Sequence, residues 1–416
     1  MVMKKKIFTA VTSVLVLCSC QGGSSNTETV TKTATINKDS LKKDSSKPAL
    51  ENAPSTAVQS SVATFDINTF KADNKFNSTA SVLAGVKNTA GSLKKYLDSS
   101  AWKENASFID SSWSRLERSR LSKMRTWREK EFATINQNTR TLFYPFSGPD
   151  FLTAFTFFPD VDKYVMIALE PMGKLPEISK MKQKDAEEYI HQFKISLTDI
   201  FNKSYFITKN MNRDLNYQKV NGVLPVLTFF IKRTGNEIAD IKFVVRLEND
   251  SIIEVPYEYN DKKNLPFGVR IDIVSNGKPK TVYYFRQDLS NTKFNANTSF
   301  YKYLDKMQSP STYVKSASYL LHNDFMENIR TFILNKSMNV IEDDTGIPFK
   351  YFTESGKWTP KLYGQYAKPV SDFKWLDLQK ELKAAYDDTA SIGKLPFHLG
   401  YHWGSKKDVL IVCSKK

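Results

Sequence analysis

Ser147 and Asp150 lie three residues apart in Leu142-Phe143-Tyr144-Pro145-Phe146-Ser147-Gly148-Pro149-Asp150-Phe151-Leu152. With His322 they supply a nucleophile, a carboxylate and a base type, the parts of an acyl-transfer site if folding brings them within hydrogen-bond reach. Ser147 does not sit in the G-x-S-x-G elbow that presents a hydrolase serine. The prolines and Gly148 around it predict tight turns, and Asp150 is suited to capping one. Glu170, Asp343 and Asp344 are the carboxylates available for glycoside hydrolysis or for a divalent cation. Adjacent acids in a strand point to opposite faces, so Asp343 and Asp344 do not by themselves form a glycosidase pair. A turn leading into Gly346 accounts for them more simply. His398 and His402, spaced i, i+4, share one side of a helix or a strand, and with Cys413 or a carboxylate they could hold a metal. Pro396, Gly400 and Gly404 argue against the helix that an H-E-x-x-H site needs. The simpler expectation is a pair of hydrogen-bonded histidines among Phe397, Tyr401 and Trp403 at the rim of a pocket. His191 and His322 are expected at a helix surface or a core edge. The sequence contains no Gly-rich phosphate loop, dinucleotide fingerprint or paired-cysteine zinc pattern, and neither a cofactor nor a metal is expected.

These residues must be positioned by a chain whose 41% apolar and 13% aromatic content is ample for a core. From Ala80 to about Phe132 the pattern predicts helix, with Trp113, Leu116, Leu121, Met124 and Trp127 near one face. The opposite face is basic: Arg115, Arg118, Arg120, Lys123, Arg125, Arg128 and Lys130 stand against Glu117, Glu129 and Glu131, and such a face is usually solvated. The central third turns to strands. Tyr164 to Leu169, Val226 to Ile231 and Thr281 to Phe285 read as runs in a well-covered sheet, while Ile241 to Leu247 and Gly268 to Val274 alternate more. Asn276-Gly277 signals a hairpin. Helices are predicted over Asp185 to Phe201 and Tyr313 to Asn335. The expected class is α+β, a mainly antiparallel sheet with packed helices, since strands and helices do not alternate regularly enough for a doubly wound fold. The expected division is a signal peptide over 1–19, a lipidated N-terminus and flexible tether over 20–78, a helical segment over 79–138 and an α+β body over 139–416.

The Tyr144–Asp150 motif, Phe157-Phe158-Pro159 and Leu169-Glu170-Pro171-Met172-Gly173 together resemble an uncharacterised family of bacterial lipoproteins and secreted proteins that carry a YPFSGPD, FFP, LEP-x-G pattern. The likeness continues in Lys315-Ser316-Ala317-Ser318-Tyr319-Leu320-Leu321-His322, in Asp343-Asp344-Thr345-Gly346-Ile347-Pro348-Phe349, in Leu362-Tyr363-Gly364-Gln365-Tyr366 and from Leu395 to Trp403, so it spans Thr139 to Trp403. It implies secretion and a shared fold. It assigns no catalytic residue.

An address is legible at the N-terminus. Lys4, Lys5 and Lys6 precede an apolar stretch of eleven residues from Ile7 to Leu17, the n-region and h-region of a secretory signal and too short to span a bilayer. Leu17-Cys18-Ser19-Cys20 resembles the lipobox of bacterial lipoproteins, with Cys20 as the lipidated residue; at Cys18 the minus-one position would hold bulky Leu17. Removing residues 1–19 leaves 57 basic against 44 acidic residues, a net +13, so the basic bias belongs to the mature chain. Cys413 is then the lone thiol and is expected to be a buried small hydrophobe. From Gln21 to Ser78 the chain is rich in Ser, Thr, Lys, Asn and Ala, with no aromatic residue before Phe65, as in a segment unable to repay its ordering entropy. About 45 such residues reach roughly 35 to 40 Å. Gln21, rather than Asp, after the lipidated cysteine points to the outer membrane, and the absence of an acidic cluster there points to a body facing the periplasm.

Two functions follow as expectations. The first is a non-enzymatic envelope lipoprotein that binds a protein or an anionic envelope component, held to the membrane by its lipid and without nucleic acid as a partner. The second is a periplasmic hydrolase or metal-dependent enzyme built from Ser147, Asp150, Glu170, His322, Asp343, His398 and His402. Convergence of nucleophile and base in one cleft separates the two.

Overall fold

In strand β1 (Thr141–Pro145), Leu142 and Tyr144 join one apolar core while Phe143 joins another. The same alternation runs through β2 (Lys163–Ala168), where Tyr164 and Met166 oppose Val165 and Ile167, as the two-residue side-chain period of a strand requires. A sheet with apolar residues on both faces must be covered on both, and the computed structural model, which describes residues 65–87, 93–197, 201, 220–373, 376–402 and 407–416, has this three-layer form. One face is covered by α1 (Lys75–Leu83), α2 (Ser100–Leu116), α3 (Ser122–Glu131), α4 (Phe151–Phe157), α5 (Gln183–Ser196) and α6 (Leu224–Arg233). The other is covered by α7 (Ser299–Asp305), α8 (Glu327–Lys336) and α9 (Lys380–Asp387).

The remaining strands are β3 (Glu237–Glu248), β4 (Ser251–Pro256), β5 (Gly268–Ser275), β6 (Lys278–Arg286), β7 (Ser311–Val314), β8 (Asn339–Glu342), β9 (Trp358–Gly364) and β10 (Val409–Lys415). They form a ten-stranded sheet in the order β4-β3-β5-β6-β2-β1-β7-β8-β10-β9. The class is α+β and the sheet is mixed. Both wings pair antiparallel, whereas β6, β2, β1, β7 and β8 pair parallel at the centre. Asn276 (φ 48°) and Gly277 (φ 74°) make the β5–β6 hairpin with two left-handed residues, as expected.

Three element expectations are corrected. Val226 to Ile231 is helical, inside α6, and not a strand. Its run is buried on every side, which erases the helical period, and Pro225 sits in the first turn, where no backbone donor is needed. The helix predicted over Tyr313 to Asn335 exists only from Glu327; Tyr313 and Val314 end β7 and face opposite cores. Ser316, Ser318 and Tyr319 follow with φ of 53°, 53° and 55°, which no helix tolerates. The long N-terminal helix is divided: Asn74 caps α1, Ser99 caps α2, and one wide π turn, Glu117–Leu121, joins α2 to α3.

Phe76, Asn77 and Ser78 are buried in α1, so the folded body begins inside the stretch assigned to the tether. In α5 and beyond, Ala186, Ile190, Phe193, Leu197 and Phe201 are buried as expected, whereas Ile200 lies outside the described residues. The signal, Cys20 and the tether up to residue 64 also lie outside them. Among the described residues no helix is long and apolar enough to cross a membrane.

Candidate functional site

Two crossovers run from the centre of the sheet in opposite directions. Through α4, on one face, β1 reaches β2 and later β6; through α8, on the opposite face, β7 reaches β8 on the other flank. The carboxyl ends of β1 and β7 therefore flank the place where strand order reverses, and in open parallel sheets ligands settle in the crevice beyond such a point. A cavity of about 210 Å³ lies there. Its walls come from Phe146, Ser147 and Asp150 after β1, Leu169 and Glu170 after β2, Leu289 after β6, and Lys315 to Ser318 after β7, with Tyr401 from a distant turn.

The two central strands, β1 and β7, each end in an unusual backbone. Phe146 (φ 60°) and Gly148 (φ 51°) are left-handed after β1, as are Ser316, Ser318 and Tyr319 after β7. Non-glycine residues in this region are held only where surrounding structure over-determines them, and they gather at functional sites. Here Ser147 N donates to Ile167 O at 2.9 Å, and Ser316 N donates to Asp343 Oδ2 at 2.9 Å.

Asp150 is the turn-capping residue expected, and more. Its Oδ1 accepts from Thr153 N at 3.1 Å, capping α4. Its Oδ2 accepts from Lys315 Nζ at 2.5 Å, from Tyr144 OH at 3.1 Å and from the Thr153 hydroxyl. Both ends of this ion pair are buried, so removing either would strand the other at a cost of about 3–5 kcal/mol. The π turn delivers Arg120 to the same place; burial lowers its guanidinium to about 10, against the opposing charge of Asp150. Burial also lifts the Tyr144 phenol far out of its ordinary range, and the Asp150 carboxylate adds to the lift.

Ser147, Asp150 and Glu170 therefore line one crevice. The acyl-transfer arrangement does not form. Ser147 Oγ donates to Gly148 O at 3.0 Å and contacts Ile167 O at 3.4 Å, and it meets no imidazole. His322 lies outside the cavity lining, edge-on to Tyr319 at 5.1 Å, its Nε2 without a partner among the described residues; burial lowers it to about 4. It is the core-edge residue expected. His191 is exposed on α5, also as expected.

The metal arrangement fails for a different reason. His398 Nδ1 pairs with Asp408 Oδ2 at 2.6 Å, while His402 Nε2 pairs with Asp344 Oδ1 at 3.0 Å. A one-turn bend over Gly400–His402 separates them, with Gly400 in a left-handed conformation. Among the described residues no three His, Cys, Asp or Glu groups gather as metal ligands. Cys413 is buried in the sheet, and burial pushes its thiol well up.

Asp343 and Asp344 occupy the expected turn, Gly346 N donating to Asp343 O at 3.2 Å, but both carboxyls are buried. Asp343 accepts from Ser316 N and from Thr345 N at 3.0 Å, and Asp344 accepts from Tyr319 OH at 2.6 Å. They brace the loop after β7. Burial and the neighbouring Asp344 charge push Asp343 up to about 6. Burial alone would lower His402, yet its hydrogen bond to Asp344 and the charges of Asp344, Asp343 and Asp408 raise it.

Sequence reasoning missed Arg120, Lys315 and Ser316, whereas Tyr401, expected at the rim of a pocket, does line the cavity. Arg120 was counted on a solvated face, yet it is buried against Asp150. Lys315, Ser316 and Ser318 were absorbed into a helix; the available signal was a run of small residues directly after a β-branched strand end.

No family model matches the chain, and no curated protein matches it. The crevice carries the functional argument by itself.

Proposed function

We propose that this chain is a cell-envelope lipoprotein that binds a small ligand in the crevice beyond β1 and β7 without transforming it. The proposal includes its export by the N-terminal signal, its anchoring through Cys20 to the outer membrane with the body facing the periplasm, and its place in the YPFSGPD-pattern family. One observation supports binding over turnover. The cavity at the switch point holds a serine, but the hydroxyl of that serine is committed to two carbonyl oxygens and no imidazole lines the same space. Its remaining walls suit a binding site, being mostly apolar with a few convergent polar groups.

The test uses mature protein labelled at the leucine methyls. Ring-sized fragments should shift the Leu169, Leu289 and Leu320 signals, which line the cavity, while simple esters should be cleaved no faster than by Ser147→Ala. Ester turnover lost in Ser147→Ala would replace the binding reading with a hydrolase.

A further inference from the structure

Most ionised groups around the crevice already have an opposite charge or a set of hydrogen bonds. Asp150 is matched by Lys315, Asp344 by His402, and Asp343 holds Ser316 and Thr345. Among the described residues Glu170 has no cation paired with it: it is 7% exposed and lines the cavity, and its carboxyl is held only by backbone hydrogen bonds, from Glu170 and Leu169. Arg286, the nearby cation, donates to the Leu169 carbonyl at 3.1 Å instead. Burial therefore raises Glu170 toward its neutral form. Asp288, exposed on the lining, adds a second negative charge.

An anion entering this crevice would face two acids, and a neutral alcohol would leave the Glu170 charge or proton where it was. An ammonium group supplies what the wall lacks: a positive charge with several N–H donors, beside a buried carboxyl that has no cation. Much of the remaining lining is apolar, with Phe146, Ile167, Leu289, Leu320 and Met326 facing Glu170 and the other polar groups.

We propose that the ligand is a primary amine on a compact apolar body, its ammonium held by the Glu170 carboxylate and its body against Phe146, Leu289 and Met326. This assignment rests on the crevice being a ligand site. No bond is made or broken; when Glu170 enters the complex neutral, its proton passes to solvent.

The experiment compares benzylamine, benzyl alcohol and benzoate on the mature, leucine-methyl-labelled protein and on Glu170→Gln. That variant keeps the side-chain shape and one accepting oxygen for the backbone donors, and its melting temperature is recorded alongside to register any loss of those bonds. Wild-type protein should bind benzylamine at least about tenfold tighter than benzyl alcohol, with benzoate weakest. In Glu170→Gln the advantage of the amine should vanish while the alcohol binds as before. Equal or tighter binding of the alcohol or of benzoate, or an amine preference that survives Glu170→Gln, overturns the amine assignment and leaves the crevice as a ligand site. If none of the three shifts the cavity methyls, the amine assignment falls together with the reading beneath it.

Discussion

His322 is an imidazole that the fold keeps neutral, and this has a consequence for stability. Its folded value of about 4 lies below the ordinary 6.5 because burial disfavours the imidazolium. Between these values the unfolded chain takes up a proton that the folded chain refuses, so acidification through this window removes stability. Asp343 works the other way. Its folded value, about 6 against 3.8, means that the folded chain holds a proton the unfolded one releases, and stability is lost as pH rises through the same range. Because the two oppose each other, the wild-type pH curve alone separates neither. Against a His322→Phe variant, which cannot titrate at that position, the stability difference should narrow by about 2 kcal/mol in favour of the variant between pH 7 and pH 4.5. Urea unfolding at the two pH values measures it, and an unchanged difference would show that His322 is not held neutral. At this scale the turn-forming role of Asp150 was legible from its neighbours, since a cap is a local interaction. Its partner Lys315 was not, because 165 residues separate them.

At the scale of elements, the turn after β2 is welded to the start of α6. Val223 N donates to Pro171 O at 2.9 Å and Leu224 N to Met172 O at 2.9 Å. A Cβ on Gly173 would lie 1.6 Å from the Asn221 carbonyl oxygen, so backbone meets backbone with no room for a side chain. Gly277 shares the left-handed conformation but has open space around it. Gly277→Ala should therefore cost only the conformational penalty, about 1 kcal/mol. Gly173→Ala should cost about 3 kcal/mol or more and should disturb the wall that carries Glu170. Thermal denaturation of both variants checks this, and equal losses would mean that the weld is looser than its geometry implies. The strands β2, β3, β5 and β6 were readable because short apolar runs (β2, β6), alternation (β3, β5) and the Asn-Gly turn are written within a few residues. The identity of α6 was not, because an all-apolar run carries no period.

At the scale of the whole molecule, the lipid anchor is the prediction that matters most for where the crevice works. Metabolic labelling with a clickable fatty acid should mark the wild-type protein and not Cys20→Ala, which should leave the membrane fraction; labelling that persists would sink the anchor at that residue. The sequence by itself determined what depends on neighbours along the chain: the α+β class, four of the ten strands, the buried Cys413 and the capping of Asp150. Only the tertiary structure decided the parallel pairing at the centre of the sheet, the reversal of strand order beside β1, and the meeting of Ser147, Glu170, Lys315 and Tyr401 around one cavity. The physical reason is that side-chain alternation records which face a residue takes but not which strand lies next to it. Pairing is settled by packing α4 and α8 on opposite faces, a choice made among residues far apart in sequence.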